Sequence, residues 1–286
     1  MSNLSNLPNS FNTPLFPTWC PGCGDFGIWS SIKQTLTKLS LPTYQVLIVY
    51  GIGCSGNMSN FINCYGFHSL HGRAIPNAAG AKLANHKLSI IVAAGDGDLL
   101  GEGLSHFIHG ARANHDITVI LHNNQIYGLT TGQASPTSFK GAKTKSTPSG
   151  VIDEPINPSI LAISQQAGFV ARCFAADINQ TSFLIGEGVK HPGFSLIEVL
   201  QPCVTFNKIN TYEWFRQRVK KLETSASDIL TGIKLAQWTD ETINIGILYK
   251  NSRPAFHQQI PLLKKGTLLE ATGTKRDISK LLATLT

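Results

Sequence analysis

Two acid–glycine pairs close the apolar run in "IIVAAGDGDLLGEG" (residues 90–103). Asp-Gly is ordinary turn chemistry and one pair is enough for a turn; a second carboxylate asks for another role, and a cation is the obvious candidate. Asn124 stands 28 residues beyond Asp96, in "HNNQIYG". A carboxylate and an amide oxygen brought side by side suit a hard cation such as Mg²⁺, which keeps positions open for phosphate oxygens. The cysteines form a second set. Cys20 and Cys23 make a Cys-x-x-Cys in "WCPGCGDFG", Cys54 lies in "GIGCSGN" and Cys203 in "LQPCVTFN". Four thiolates from three turns suit a tetrahedral Zn²⁺ or a [4Fe–4S] cluster, and spacing alone does not choose between them. Scattered third and fourth ligands suit a cluster held between elements. The plain alternative makes Cys54 and Cys203 small core residues; Cys64, without a paired neighbour, and Cys173, inside an apolar strand, fit that reading better.

The elements that must position these residues alternate between strand and helix. "FGIWSSIKQTLTKLSL" (26–41) has near-helical apolar spacing. "YQVLIVYGIG" (44–53) is a buried strand entering a glycine turn, "NAAGAKLAN" (77–85) a helix of small residues, and "KLSIIVAAGDGD" a strand and turn. A helix over 101–114, a strand over 116–124, a helix over 157–168 and strands in "FVARCFA" and "GFSLIEVLQPC" follow. Strands that are almost unbroken Val, Ile and Leu runs predict an α/β fold, a parallel sheet with helices on both faces. In such a sheet, ligands bind outside the carboxyl ends of the strands. The turns Gly51–Ser55, Gly95–Asp98 and Asn123–Gly128 fall at such ends and converge on one crevice. A helix opening at Gly101 would turn its amides and positive dipole end toward an anion there. Residues 130–150, rich in Thr, Ser, Gly and Lys, read as a long loop of the kind that forms lids or binding segments. Beyond Cys203 the pattern weakens to one amphipathic helix and a mixed tail, with "RQRVKKLE" (216–223) as an exposed helical side. The organisation expected is an N-terminal arm (1–18), a binding domain (19–205) and a C-terminal segment (206–286) packed on the domain or on a partner.

Composition bounds the class. At 286 residues, with 42% hydrophobic and 14% charged residues, the chain buries a large core. No run of about 18 apolar residues predicts a membrane span, and the polar opening "MSNLSNLPNSFNTPLF" reads as no signal peptide, which places the chain in the cytoplasm. Six cysteines are too sparse for a disulfide scaffold, which favours metal or redox use. Of the net charge of +7, most lies from residue 201 onward, where thirteen Lys and Arg meet seven Asp and Glu. That excess reads as a solvated face or a surface for an acidic partner. Nucleic acid is not expected, because no basic run is interleaved with aromatics.

"GDGD" followed by "NNQIYGLT" resembles the thiamine-diphosphate fingerprint, in which GDG precedes Asn at a similar spacing. With "CPGCGDFGI", "GIGCSGN", "HGRAIPNAAGAKLAN", "NNQIYGLTTGQASPTS" and "QPCVTFN" in this order, most of the chain resembles the beta subunit of the 2-oxoacid:ferredoxin oxidoreductases. The resemblance implies a thiamine-diphosphate-binding fold. Mg²⁺ would be held by the side chains of Asp96 and Asn124 and the carbonyl of Ile126. Gly97, Asp98, Gly128 and Leu129 would line the diphosphate and thiazolium, with Ile52, Gly53, Cys54, Ser55 and His71 completing the pocket. Cys20, Cys23, Cys54 and Cys203 would bind one [4Fe–4S] cluster. The implied reaction is oxidative decarboxylation of a 2-oxoacid, pyruvate or 2-oxoglutarate, to acyl-CoA and CO₂, with coenzyme A as co-substrate and electrons passing through the cluster to ferredoxin.

Thiamine enzymes also need a glutamate to activate the cofactor. Glu102, Glu154, Glu187 and Glu198 stand in no motif for that role, and the resemblance implies that an alpha subunit supplies it, so that the isolated chain lacks turnover. In relatives a basic residue often follows the cluster-loop cysteine and another follows "YGLT"; Asn57 and Thr131 stand in those places here. Lys140, Lys143 and Lys145 of the long loop are the candidates to restore a charge. Two other readings compete: a non-redox thiamine decarboxylase or synthase subunit with a structural metal site, and a zinc-stabilised binding module whose Gly-Asp-Gly is only a turn.

Overall fold

A computed structural model describes residues 11–239, 241–271 and 279–284. Among these, eight strands form one sheet: β1 (Val46–Tyr50), β2 (Tyr65–His68), β3 (Ser89–Gly95), β4 (Thr118–Asn123), β7 (Phe169–Phe174), β8 (Ser195–Leu200), β9 (Val219–Lys221) and β10 (Ile243–Lys250). Their order across the sheet is β2-β1-β3-β4-β8-β7-β10-β9. A separate two-stranded hairpin joins β5 (Ile126–Tyr127) to β6 (Gln133–Ala134). All neighbours in the large sheet are parallel except β10 and β7, which run antiparallel.

The apolar runs are continuous because both faces of the sheet are covered. Successive residues alternate between layers: Ile48, Ile91, Ala93, Ile120 and Ile197 pack with α1 (Asp25–Lys38) and α5 (Ile178–Lys190). Val49, Val92, Ala94, Val119 and Leu196 pack with α2 (Ala74–Ala84), α3 (Leu104–Ala113), α4 (Pro158–Ser164) and α7 (Ile229–Ala236). The sheet edge carrying the carboxyl ends of β1, β3, β4 and β8 is level, with Tyr50 opposite Ala93, Gly95 opposite His122 and Asn123 opposite Leu200. Four loops therefore leave the sheet at one edge.

Several elements differ from the sequence reading. The helix after β3 does not open at Gly101. It starts straight from the strand, passes through a π-helical turn at Asp98–Glu102, closed by Gly103 N donating to Asp98 O (3.0 Å), and continues as α3. The amides at this helix start are those beside the Gly-Asp-Gly turn. Residues 216–223 are not one helical side: α6 (Tyr212–Arg216) ends there and Val219–Lys221 forms β9 against β10. Beyond residue 205, β9 and β10 add to the sheet beside β7, so this segment packs on the rest of the chain. Strand β2 and helix α5 went unread. In α5, Gly186 and Gly188 dilute the apolar pattern; a Cβ at Gly188 would stand 3.1 Å from Ile197 Cδ1, so close packing on the sheet explains that glycine. Of the expected arm, residues 1–10 lie outside the described residues. Phe11 is buried, and Thr13 Oγ1 donates to Asn60 O at 3.1 Å.

Candidate active site

The four loops at the level sheet edge line one cleft. The expected residues Ile52, Gly53, Cys54, Ser55, His71, Asp96, Gly97, Asp98, Asn124, Ile126, Gly128 and Leu129 all line it. His122, Tyr127, Thr130 and Gln201 line it too, and the sequence reading missed them. A lone imidazole in the apolar run "DITVILHNN" was the available signal for His122.

Each carboxylate of the "GDGD" turn has a distinct environment. Asp96 is 1% exposed, and its Oδ2 accepts hydrogen bonds from Ser135 Oγ and Thr137 Oγ1, both at 2.5 Å. Burial pushes its carboxyl above the ordinary range, against the pull of those two hydroxyls. Among the described residues it forms no ion pair. The start of the 130–150 loop thus folds beneath the cleft as a polar support, with Ser138 Oγ donating to Gln125 O at 2.6 Å. Asp98 holds two loops together: Oδ2 accepts from Ile52 N (2.5 Å) and Oδ1 from Gly72 N (3.1 Å). Burial raises its carboxyl as well, opposed by those amides. The second acid of the motif clamps the walls of the cleft.

Gly97 shows why a side chain is excluded there. A Cβ would lie 2.3 Å from the Tyr127 ring, whose hydroxyl donates to Gly97 O at 3.1 Å. The phenol is pushed up to about 12, first by burial and then by Glu102, Asp96 and Asp98, so it remains a donor at neutral pH. Asn124 Oδ1 accepts from Ile126 N at 3.0 Å, which sets the turn into β5. His71 Nδ1 lies 2.7 Å from Glu102 Oε2. Glu154 pairs with Lys140, Glu187 with Lys190, and Glu198 with Arg172, so none of the four glutamates lines the cleft.

The thiols gather on the side of the cleft nearest Gly128. A Cβ built on Gly128 would stand 3.5 Å from Cys54 Sγ and 3.7 Å from Cys203 Sγ. Trp19 Nε1 donates to Cys54 O (2.7 Å) and Gly24 N to Pro202 O (3.1 Å), tying the Cys20–Cys23 turn to both other loops. Cys23 Sγ donates to Asp25 Oδ2 at 3.4 Å. Burial pushes the Cys54 thiol up to about 12, with Asp25, Cys203 and Cys20 adding to it, and raises Cys23 in the same way. Cys173 is buried in β7, and Cys64 is half-buried against the core. Among the described residues no three His, Cys, Asp or Glu side chains close around a single ion. A tetrahedral zinc at Zn–S of about 2.3 Å would need sulfurs about 3.8 Å apart.

Among the described residues, Ser55 Oγ, His122 Nε2 and Gln201 Oε1 are buried without a hydrogen-bond partner, and all three line the cleft. Buried polar atoms are satisfied as a rule, so the cleft is built for a polar ligand. The single carboxylate of Asp96, the Asn124 amide, the glycine-lined turns and the helix start beside Gly97 fit a magnesium-bound diphosphate.

By its family match and structural likeness, this mainly parallel α/β sheet with the cleft at its carboxyl edge is a thiamine-pyrophosphate-binding domain. The family model described as "Thiamine pyrophosphate enzyme, C-terminal TPP binding domain" matches residues 51–199, and the C-terminal model of the pyruvate ferredoxin oxidoreductase beta subunit matches residues 203–265. The beta subunit of a 2-oxoacid:ferredoxin oxidoreductase from Sulfolobus sp is 44% identical over 94% of this chain and 93% of its own. The subunit of the same description from Saccharolobus solfataricus is 46% identical over 84% of each. The solved 2-oxoglutarate:ferredoxin oxidoreductase from Magnetococcus marinus, with 2-oxoglutarate, coenzyme A and succinyl-CoA bound, superposes with a TM-score of 0.90. It is 34% identical and covers 100% of this chain and 98% of that one. The chain belongs to the beta subunits of the 2-oxoacid:ferredoxin oxidoreductases. Among the described residues no helix is long and apolar enough to cross a membrane.

Proposed function

We propose that this protein, together with an alpha subunit, converts a 2-oxoacid and coenzyme A to acyl-CoA and CO₂, its electrons leaving singly through a [4Fe–4S] cluster to ferredoxin in the cytoplasm. Bound thiamine diphosphate supplies the nucleophilic carbon and the electron sink for decarboxylation. Asp96, Asn124 and the Ile126 carbonyl would hold Mg²⁺. The Ile52–Ser55 turn, Gly97, Gly128, Leu129 and His71 would bind and orient the cofactor, with Asp98 fixing the walls. Cys20, Cys23, Cys54 and Cys203 would carry the cluster.

The observation that carries the redox reading is the shared Cys54–Gly128 wall. Both residues line the cleft, and Gly128 lies close to two of the four thiols, those of Cys54 and Cys203. A cluster on those sulfurs would stand beside the cofactor pocket, where the electrons would be released. The non-redox reading leaves that adjacency without a purpose. Among the described residues no glutamate lines the cleft, which supports an activating carboxylate supplied by the alpha subunit.

Anaerobic co-purification with the alpha subunit, followed by iron, sulfide and thiamine analysis, tests this reading. One cluster and one thiamine diphosphate per beta chain are expected, with coenzyme-A-dependent ferredoxin reduction that the beta chain alone does not give. A complex holding thiamine but no iron would establish the non-redox alternative; turnover by the beta chain alone would remove the requirement for a second chain.

A further inference from the structure

The geometry points to Lys145 as the cation that reads the distal carboxylate of a dicarboxylic 2-oxoacid, an inference that rests on the proposed reaction. The residues lining the cleft include Asp96 and Asp98 but no Lys or Arg. An anionic substrate entering it gains from positive charge at the rim. The loop that follows the cleft wall offers three lysines, and the structure separates them. Lys140 is neutralised by Glu154 on the surface. Lys143 faces a different cavity, between the loop and residues 206–210. Lys145 Nζ donates to Thr131 Oγ1 at 2.9 Å, beside the cleft-lining Leu129 and Thr130. It forms no ion pair among the described residues.

The backbone that carries this exposed lysine is held in place. Its own amide donates to Gly132 O at 3.1 Å, and the flanking turn is closed by Thr144 N to Thr147 O (3.3 Å) and Thr147 N to Thr144 O (3.2 Å). Thr131 is held at φ 75°, and its amide donates back to Gly128 O at 3.1 Å. A β-branched residue in the left-handed region is strained, and such strain persists where the surroundings enforce it. The strained turn carries the ammonium to within one short turn of Gly128, where the cofactor wall begins. One of the three ammonium hydrogens is spent on Thr131, leaving two for a carboxylate. Because Lys145 lies at the rim and outside the lining, it meets the far end of the substrate, several bonds from the reacting carbon. A monocarboxylic acid such as pyruvate presents nothing there.

The test uses the assembled enzyme loaded with both cofactors and measures KM and kcat for 2-oxoglutarate, pyruvate and coenzyme A. Lys145→Met is expected to raise the KM for 2-oxoglutarate at least about tenfold, the scale of one charged hydrogen bond. The kcat, and the KM values for pyruvate and coenzyme A, should stay within about twofold. Lys145→Arg should recover most of the loss, as should Thr131→Lys combined with Lys145→Met, which returns the ammonium from the other side of the hydrogen bond. An unchanged 2-oxoglutarate KM, an equal rise for both acids, or a rise confined to coenzyme A would overturn the assignment while leaving the reaction in place. Failure of the wild-type complex to reduce ferredoxin from either acid would instead overturn the reaction itself, and the role of Lys145 with it.

Discussion

His122 Nδ1 lies 2.7 Å from Asp25 Oδ1, a contact between two side chains that are fully buried. The other oxygen of Asp25 accepts from Cys23, so one carboxylate links the cleft-lining imidazole to a thiol of the cysteine group. Removing it strands a buried donor at about 1–3 kcal/mol. Asp25→Ala is therefore expected to lower the thermal midpoint of the complex by several degrees and to reduce its iron content. A variant with wild-type melting and full iron would show that the pair is incidental.

Gly97 and Tyr127 are in mutual contact by necessity, since a Cβ at Gly97 would meet the ring at 2.3 Å. Gly97→Ala must displace Tyr127 from the cleft wall. Thiamine diphosphate retention, measured by thiochrome fluorescence after desalting, is expected to fall at least about tenfold, the scale of one charged hydrogen bond lost to the bound group. Tyr127→Phe, which removes only the hydrogen bond to Gly97 O, should cost about 1 kcal/mol of stability and keep the cofactor. Full retention by Gly97→Ala would contradict a wall built on this contact.

Arg172 and Glu198 form an ion pair at 2.8 Å with neither side chain exposed, and Ser159, Asn123 and the carbonyl of Ala236 satisfy what remains. Breaking such a pair is far costlier than replacing it. Arg172→Met should destabilise by about 3–5 kcal/mol, enough to abolish soluble expression. Arg172→Met with Glu198→Leu should recover a large part, read by thermal unfolding. Equal losses in the single and double variants would refute the coupling.

His115 and His191 are both held below the ordinary imidazole range, by burial first, with His109 and His257 adding at the former and Lys250, opposed by Asp116, at the latter. The native state refuses protons that the unfolded chain accepts as the pH falls through about 6.5, so stability is present above that value and lost below it. The thermal midpoint should drop between about pH 7 and about pH 5.5, and the slope should flatten in His115→Gln/His191→Gln. An unaltered slope would place the acid sensitivity elsewhere.

Much of this site was legible before the fold because its chemistry is local. "GDGD", "NNQIYG", "GIGC" and "CPGC" each place glycine and a polar group in one turn, and each follows or precedes an unmistakable apolar run. What was illegible depended on distance. The role of Asp98 as a clamp requires Ile52 and Gly72 to arrive from other loops. Ser135 and Thr137, inside a stretch that reads only as polar loop, gain meaning when they reach Asp96. The residues after 205 gave a weak pattern because β9 is three residues long and β10 enters antiparallel beside β7, outside the strand–helix rhythm.

The linear chain pointed to the two-sided parallel sheet, since near-continuous runs of Val, Ile and Leu suit strands covered on both faces, and it placed the carboxylate, amide and thiol side chains in the turns. The fold alone decided that Lys145 rather than Lys140 or Lys143 stands beside Thr131, and that His122 faces Asp25 from 97 residues away. Side-chain type is written in the polymer, whereas the neighbour that gives it a task is set by strand register and loop path, which only packing resolves.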